Sequence, residues 1–532
     1  LRAEVAARLG VSASDIEVNR PVSDYALDSL AAIELTHSIE AKLGVRLPMA
    51  SLLESPSIAE IAAQTLQAAS AAVVAVAADA QPTEAVSEHP LSRGQQALWF
   101  LYQLAPDNAA YHISTAVRIT SALDVAALRS AFQLLLERHP SLRSTFGMSG
   151  DAPVQRVLAS AEVSFEEIDA EGLSEEALNG LLVAEADRPF DLERGPLMRV
   201  QLFRRAPDEH IILLVIHHIV SDFWSLSVLT NELGLLYTAE VTGTRAPLPA
   251  AAQPGYADYV SRQEQMLEGA EGARLWSYWR ERLAGELPAL NLPADHQRPP
   301  VQTYRGNSEA FRLSAEVTRG LKELSREHGA TLYMTLLAAF QTLLHRYTGQ
   351  EDILVGSPTS GRNQNGLSGL VGYFINPLVL RGNPTGAASF ASFLEQTKET
   401  VLAAFRHQDY PFPLLVERLQ PERESSRSPL FQVMFILQKA HLLNEEGLTA
   451  FALGEAGARV KLGALELESM ALEQRVSQFD LTLAMVESGD TLSASLQYNT
   501  DLFEAQTVRR MVEHLKTLLA GIVAQPRQNL SA

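Results

Sequence analysis

Six consecutive apolar residues, Ile211–Ile216, limit the possible folds of this chain more than any other segment. An uninterrupted run of this length favours a β-strand buried on both faces, because a half-exposed strand would alternate apolar and polar residues. Helical spacing of apolar residues surrounds it at 125–139, 226–237 and 332–347, and a short strand pattern follows at 353–355. Alternating strand and helix patterns of this kind predict an α/β architecture on the scale of two domains.

Composition narrows the possible functions of this 532-residue chain. It has 43 Lys and Arg against 63 Asp and Glu, a formal net charge of −20, which argues against nonspecific binding to nucleic acid or to an anionic membrane. Cysteine is absent, which excludes disulfides, thiolate metal sites and a cysteine nucleophile. No apolar run reaches the roughly 18 residues of a membrane span, and no secretion signal is recognisable. Because the sequence opens at Leu1 rather than Met, we expect a fragment of a longer protein.

A small helical unit is predicted at residues 1–66. Its apolar residues recur at helical spacing, as at Ile58, Ile61 and Ala62. Residues 67–88 are rich in Ala, Val, Pro, Thr and Glu and contain no aromatic residue, which predicts a linker. A short Ala-rich helix over its first half is the alternative.

Asp28 and Ser29 stand directly before an amphipathic helix pattern, in the text YALDSLAAIEL. A serine at such a place is ordinarily an N-cap, whose hydroxyl accepts a hydrogen bond from a backbone N–H. The alternative is a hydroxyl that carries a phosphodiester, since that group gains from the helix dipole and the free N–H groups. The residues alone leave both interpretations open.

His217, His218 and Asp222 follow the apolar run, in the text HHIVSDFWS. Successive strand side chains point to opposite faces, so we expect one imidazole to face a cleft and its neighbour to be held by surrounding residues. A purely structural role is the alternative for either histidine. Adjacent histidines on a strand do not converge on one ion, and no H-E-x-x-H spacing occurs, so no metal site is predicted.

Residues 1–66 resemble an acyl or peptidyl carrier protein. The resemblance is carried by LDSLAAIEL, LGVRLP and SLLESPSIAEIA, in that order. It implies a four-helix bundle with 4′-phosphopantetheine attached covalently to Ser29, beside Asp28. Ala26 and Leu27 stand where the family usually has glycine, and the form LDSL is closer to polyketide-type carriers, which suggests a hybrid polyketide and peptide assembly line.

The remaining residues resemble a condensation domain of nonribosomal peptide synthetases. His217, His218 and Asp222 match the motif H-H-x-x-x-D-G, although Phe223 stands in the place of its glycine. Six further motifs occur in the family's order: LSRGQQALWFLYQL from Leu91, RHPSLRSTF at Arg138–Phe146, a partial match YADY from Tyr256, VGYFINPLVLR at Val371–Arg381, HQDYPFP at His407–Pro413, and RESSRSPL at Arg423–Leu430.

This second resemblance implies two chloramphenicol-acetyltransferase-like lobes arranged in a V. We expect the lobes at residues 89–265 and 266–532, with the crossing between them near Tyr259–Arg274.

The resemblance also implies the roles of individual residues. His218 would act as a base or as a positioning group, with His217 and Asp222 in support, and Asp222 would form an ion pair with Arg143. The channel-lining residues implied are Phe223, Trp224, Ser225, Tyr373 and Asn376.

Together the two resemblances imply transfer of an acyl or peptidyl chain from a phosphopantetheine thioester to the amine of an acceptor on a downstream carrier. The expected partners are the upstream and downstream synthetase modules, the acceptor carrier and a phosphopantetheinyl transferase, without nucleic acid or membrane. A cytoplasmic location is expected. The alternatives are an ester-forming relative, an epimerising relative, and a platform that binds carriers without catalysis.

Overall fold

The computed structural model describes residues 17–19, 57–63, 87–249, 255–364, 366–386, 388–421, 424–438, 456–488 and 490–530. Most of the unit predicted at 1–66 and of the linker predicted at 67–88 lies outside these ranges, so those two boundaries stay predictions. Residues 58–63 are helical, as their apolar spacing predicts. The Glu60 N–H donates to Ser57 Oγ and the Ser57 N–H donates to Glu60 Oε2, at 3.3 and 2.7 Å, which caps the start of this turn.

The first half of the large α/β region is built around a sheet in which β7 lies between β2 and β6 and β6 pairs in parallel with β5. In chain order its elements are β1 (Ser87–Pro90), α1 (Arg93–Leu104), β2 (His112–Ile119), α2 (Val125–Arg138), β3 (Ser144–Ser149), β4 (Ala152–Val157), β5 (Ser164–Asp169), α3 (Glu175–Asp187), β6 (Met198–Ala206), β7 (Glu209–His217) and α4 (Phe223–Thr242). Strands β1, β4 and β3 form a separate small sheet.

The second half is built around a sheet of order β10-β9-β11-β14-β15-β8, in which β11 runs parallel to β9 and β14. Its elements are α5 (Tyr256–Glu268), α6 (Ala270–Arg282), β8 (Gly306–Leu313), α7 (Ala315–Glu327), α8 (Leu332–Thr348), β9 (Ile353–Thr359), β10 (Asn376–Gly382), α9 (Phe390–Arg406), α10 (Phe412–Leu419), β11 (Val433–Gln438), β12 (Arg459–Leu462), β13 (Leu465–Ser469), β14 (Leu481–Ser488), β15 (Thr491–Asn499) and α11 (Ala505–Ala524). No helix in the described ranges is long and apolar enough to cross a membrane.

The structure confirms the α/β architecture and the elements that the apolar patterns predict. Strand β7 contains the apolar run, and Ile211 and Leu213, whose side chains point to the same face, are both fully buried, as is Ile216 on the opposite face. The helical patterns correspond to α2, α4 and α8, and the short strand pattern corresponds to β9. Each half has its own apolar core.

Short polar side chains fix where most of these helices begin. Each accepts a hydrogen bond from a backbone N–H of the first turn, which satisfies a group that would otherwise lack an intrahelical partner. The N-caps of α1, α2, α3, α4, α7, α8 and α9 are Ser92, Asp124, Ser174, Asp222, Ser314, Thr331 and Ser389.

Strands β12 and β13 cross from the second half to the first. Strand β13 pairs antiparallel with β2, from Leu467 opposite Ile119 to Ser469 opposite Val117, so both strands extend the first sheet. The predicted division into 89–265 and 266–532 is corrected at this point, and its boundary also falls inside helix α5. The apolar pattern could not show this, because strand pairing between distant segments leaves no local signal.

The β12–β13 hairpin is held against α4 by an unusually close approach. A Cβ on Gly234 would lie 2.8 Å from Leu462 Cβ and 3.0 Å from the Leu462 carbonyl oxygen. Thr238 Oγ1 donates to the Gly234 carbonyl at 2.7 Å and accepts from the Ala464 N–H at 2.9 Å. Only glycine at position 234 allows the hairpin backbone to reach these groups.

We expect Gly234→Ala to lower the free energy of unfolding by about 1–2 kcal/mol, because overpacking against a backbone outweighs the gain in helix propensity. Gly180→Ala is the matched control, since Gly180 also lies within a helix but nothing lies within 4 Å of its added Cβ. The control should raise the free energy of unfolding by about 1 kcal/mol. Urea unfolding measures both, and equal stabilisation by the two substitutions would contradict the close approach.

Candidate functional site

The histidine pair lies where strand β7 ends. His217 is the last residue of the strand, and His218 begins a single 3-10 turn that leads to the N-terminus of α4. His217 and His218 are both among the residues that line one large cavity, but they are not equally exposed. His217 is buried at the end of the strand, whereas His218 leaves the strand and is partly exposed, in line with the expectation that one imidazole faces a cleft and its neighbour is held by surrounding residues.

His217 is held in place by its neighbours. It is 5% exposed, and its Nδ1 accepts a hydrogen bond from the Ile219 N–H at 3.1 Å. The rings of His112 and Phe190 pack edge-on to it, with centroids 5.9 and 6.0 Å away. Burial holds the pKa of His217 well below its ordinary value and lowers the pKa of His112 to about 4. Both rings are therefore neutral, and His217 fixes the turn that carries His218.

In His218 the Nδ1 atom is a hydrogen-bond donor, whereas in His217 the same atom is an acceptor. The Nδ1 of His218 lies 2.7 Å from the Ser221 carbonyl oxygen, which can only accept, so Nδ1 carries the proton. In the neutral ring Nε2 then has the free lone pair. Burial lowers the pKa of His218, which keeps the ring neutral near pH 7. The Tyr373 ring packs edge-on against it at a centroid distance of 5.2 Å. The arrangement is that of a neutral, oriented base.

Asp222 is buried and structural. It is 1% exposed and caps α4 by accepting from the Ser225 N–H at 2.7 Å. Arg362, also 1% exposed, donates to Asp222 Oδ1 at 2.9 Å and to Oδ2 at 3.2 Å. The predicted pairing with Arg143 is therefore wrong, since Arg143 donates to the Ala159 carbonyl at 3.5 Å and forms no ion pair with any described residue.

The ion pair belongs to a buried network that joins α4 to residues 360–374. Ser225 Oγ lies 2.7 Å from Asp222 Oδ1 and accepts hydrogen bonds from Arg362 at 2.8 Å and from the Gly372 N–H at 3.1 Å. The Phe374 N–H donates to Asp222 Oδ2 at 3.2 Å, and the Phe374 ring lies 4.0 Å from the Arg362 guanidinium. These hydrogen bonds hold the start of α4, and with it the turn of His218, in one position.

The cavity beside His218 has a volume of about 2090 Å³ and is lined by residues of both halves. Ordinary ligand pockets measure about 300–1,000 Å³, so this space is large enough for a long substrate. Phe223 and Tyr373 border it, as the resemblance implies.

Three of the residues predicted to line the channel do not border this cavity. Ser225 belongs to the buried network, and Trp224 Nε1 donates to the Ser368 carbonyl at 2.8 Å. Asn376 Nδ2 donates to the carbonyls of Gln408 and Tyr410 at 2.7 and 2.8 Å. All three side chains hold loops together, because their polar atoms are used within the protein.

Sequence reasoning missed Arg362 and Gly94. Gly361 precedes Arg362 and has a φ of +63°. A Cβ on Gly361 would overlap the Phe374 carbonyl, so this glycine is the local sequence signal that two backbone segments pack closely beside Arg362. A Cβ on Gly94 would lie 2.6 Å from Tyr373 Cε1, so this glycine makes room for the ring that packs on His218. Neither contact can be derived from spacing along the chain.

Ser29 and Asp28 lie outside the described residues, so the predicted attachment site stays a prediction. Among the residues that the structure does describe, no group of three or more His, Asp or Glu side chains could hold a metal ion.

Two protein families match this chain. The family described as Condensation domain matches residues 86–532, and the one described as Phosphopantetheine attachment site matches residues 1–64.

Curated relatives extend over nearly the whole chain. One protein of the linear gramicidin synthase of Brevibacillus parabrevis is 41% identical over 509 residues, which cover 94% of this chain and 10% of that protein. Bacitracin synthase 3 from Bacillus licheniformis is 35% identical over 503 residues, which cover 94% of this chain and 7% of that protein. This chain therefore spans no more than a tenth of the length of these relatives.

Solved structures show the same fold. A four-domain nonribosomal peptide synthetase bound to AMP and glycine has a TM-score of 0.78 and 25% identity, covering 85% of this chain and 34% of that chain. The X-domain from teicoplanin biosynthesis has a TM-score of 0.75 and 27% identity, covering 86% of this chain and 99% of that chain.

We expect Arg362→Met to lower the free energy of unfolding by about 3–5 kcal/mol, because it leaves the Asp222 carboxylate buried without its partner. Arg143→Met serves as the control and should cost less than about 1 kcal/mol, since Arg143 forms no ion pair within the described part of the chain. Urea unfolding followed by tryptophan fluorescence measures both. A larger loss of stability in Arg143→Met than in Arg362→Met would instead support the pairing of Asp222 with Arg143.

Proposed function

The chain belongs to the condensation-domain family of nonribosomal peptide synthetases and carries a phosphopantetheine attachment site at its amino-terminal end. From that premise we propose that it transfers an acyl or peptidyl chain from a phosphopantetheine thioester to the amine of an acceptor on a second carrier. The product is an amide. The observation that supports this reaction most directly is the neutral imidazole of His218, oriented by Ser221 at the wall of the cavity.

The cavity fits a long, flexible tether better than a compact ligand. Both halves of the fold contribute to its lining, and its volume is about twice that of a large ordinary pocket. When bound, the phosphopantetheine group supplies the acyl chain as a thioester. Phe223 borders the same space in the place of the family's usual glycine, and we propose that its ring narrows the cavity beside His218.

His218 acts on the attacking amine. An amine attacks a carbonyl only through its free lone pair, and it loses a proton as the C–N bond forms and the C–S bond breaks. His218 Nε2 accepts that proton, or holds the amine by a hydrogen bond, and the proton finally resides on the departing thiol. The lowered pKa of His218 supports this role, because an imidazole that is already protonated accepts nothing. His217 and Asp222 contribute by fixing the turn.

Ser29 is the residue that we propose as the attachment point, with Asp28 beside it and a phosphopantetheinyl transferase as the modifying partner. Upstream and downstream synthetase modules and an acceptor carrier complete the set of proposed partners. The cytoplasmic location and the hybrid polyketide origin stay predictions.

A second candidate function is a platform without catalysis. The X-domain from teicoplanin biosynthesis, which has a similar structure, is solved in a complex with OxyB. That complex favours a binding role as the alternative for this chain. A platform would not require a neutral, oriented imidazole beside the cavity, so we place it second.

We expect the purified chain to gain the mass of one phosphopantetheinyl group when it is treated with coenzyme A and a phosphopantetheinyl transferase. The family match to residues 1–64 and the text LDSL are the reasons for placing the group on Ser29. Intact-mass spectrometry measures the gain, and Ser29→Ala is the control that should show none. A mass gain in Ser29→Ala would show that the group is attached to another residue.

We expect protonation of the enzyme to lower kcat/KM for amide formation at a pH below the ordinary 6.5 of a histidine, because burial lowers the pKa of His218 and the neutral ring is the active form. Comparing the pH profiles of two acceptors whose amines differ in pKa distinguishes the titration of the enzyme, which is the same in both profiles, from that of the substrate, which shifts. His218→Ala should reduce the rate by about 10²–10⁴-fold. An undiminished rate in His218→Ala, with normal loading of the carrier, would exclude the imidazole as base or positioner. If the wild-type rate itself equals the uncatalysed background, the platform is favoured.

A further inference from the structure

Half of strand β2 has a neighbouring strand on one side only. Strand β7 pairs with β2 along its whole length, from His112 opposite His217 to Ile119 opposite His210. Strand β13 pairs only with residues 117–119 on the other side. Within the described part of the chain, residues 112–115 therefore have no strand on that side and form an open sheet edge next to the turn that carries His218.

The ladder shows which backbone groups point to that edge. The His218 N–H donates to the Tyr111 carbonyl at 2.8 Å, so odd-numbered residues of this segment bond towards β7. The Ala116 carbonyl accepts from the Met470 N–H at 3.1 Å, so even-numbered residues bond in the opposite direction. Ser114 is the next even-numbered residue. Its N–H and carbonyl have no hydrogen-bond partner in the described part of the chain.

The open edge is one rim of a slit in the cavity wall. After the Met470 N–H, residues 471–477 make no hydrogen bond to β2 among the described residues, and contact resumes where Gln478 Nε2 donates to the Ala110 carbonyl at 2.8 Å; the stretch between these two contacts is the slit. The slit is about 20 Å long at the rise of a strand. Every second residue of the far rim lines the cavity, namely Met470, Leu472, Gln474, Val476 and Gln478. Residues 112–116 and His218 line the same cavity.

We propose that this slit binds the donor as an extended peptide, whose amide groups pair with Ser114 as an added strand. Unpaired groups on a sheet edge are a template for another extended chain. The alternating side chains of the far rim form separate contacts for alternate side chains of that chain. A peptidyl cargo has such side chains, whereas the pantetheine arm has amides without them. The inference rests on the proposed function and narrows its donor from any acyl chain to a peptidyl chain.

Ser114→Pro tests the site directly in the full-length chain. Proline removes the N–H that points to the open edge and leaves the bonds to β7 in place, as at other edge positions. Ser114→Ala is the reference, because it removes the same hydroxyl and keeps the N–H. The probes are stable pantetheine thioethers that carry either a dipeptidyl group or a straight alkyl-ketone chain of equal length. Calorimetry measures their dissociation constants without any turnover.

We expect Ser114→Pro to weaken the dipeptidyl probe about fivefold relative to Ser114→Ala, the usual net effect of one hydrogen bond, and the straight-chain probe less than twofold. Wild-type protein should also bind the dipeptidyl probe about fivefold more tightly than a probe in which the peptide bond of the cargo is replaced by an ester. This second comparison decides the matter if Ser114→Pro does not fold.

Two results would overturn the proposal. If Ser114→Pro weakens the binding of both probes equally, the slit binds the pantetheine arm rather than the peptide. If neither Ser114→Pro nor ester replacement weakens binding, the slit does not bind the donor. Failure of the proposed function is recognised separately. It would appear as an absence of amide formation by the wild-type chain, which the binding measurement does not require.

Discussion

The buried ion pair between Asp222 and Arg362 is the interaction on which the geometry of the site depends. It joins the first residue before α4 to the loop that follows β9, which are separated by a long stretch of chain. Two desolvated charges are tolerated here because Ser225 and backbone groups of the loop supply hydrogen-bond partners to both of them. The pair thereby fixes where the two halves of the fold meet.

The same short turn connects this pair to the chemistry. Ser221 precedes Asp222 and orients the His218 ring through its carbonyl, so an error in the position of Asp222 becomes an error in the position of Nε2. His217, on the other side, accepts from the Ile219 N–H and fixes the beginning of the turn. The motif therefore places the imidazole that we propose to react between two anchors, and this explains why a neutral imidazole can be both buried and oriented.

A second connection between the halves lies at the β12–β13 hairpin. The hairpin completes the first sheet and rests on α4 at Gly234, so α4 is held both at its start and along its length by residues of the second half. The hairpin covers only part of β2. The uncovered part of that strand faces the cavity, so the element that joins the halves also determines how much sheet edge is left for a substrate.

Local structure follows directly from the order of the amino acids. The apolar run produced β7, short polar residues capped the helices, and the order HHIVSD placed two imidazoles and a carboxylate within one turn, because all of these depend on neighbours within a few residues. Three features depend instead on the packing of the whole fold: the choice of arginine that pairs with Asp222, the pairing of β13 with β2, and the position of Ser114 at the cavity. Each of these results from segments that meet across long stretches of chain, and a contact of that kind depends on the packing of the whole fold rather than on any spacing in the sequence.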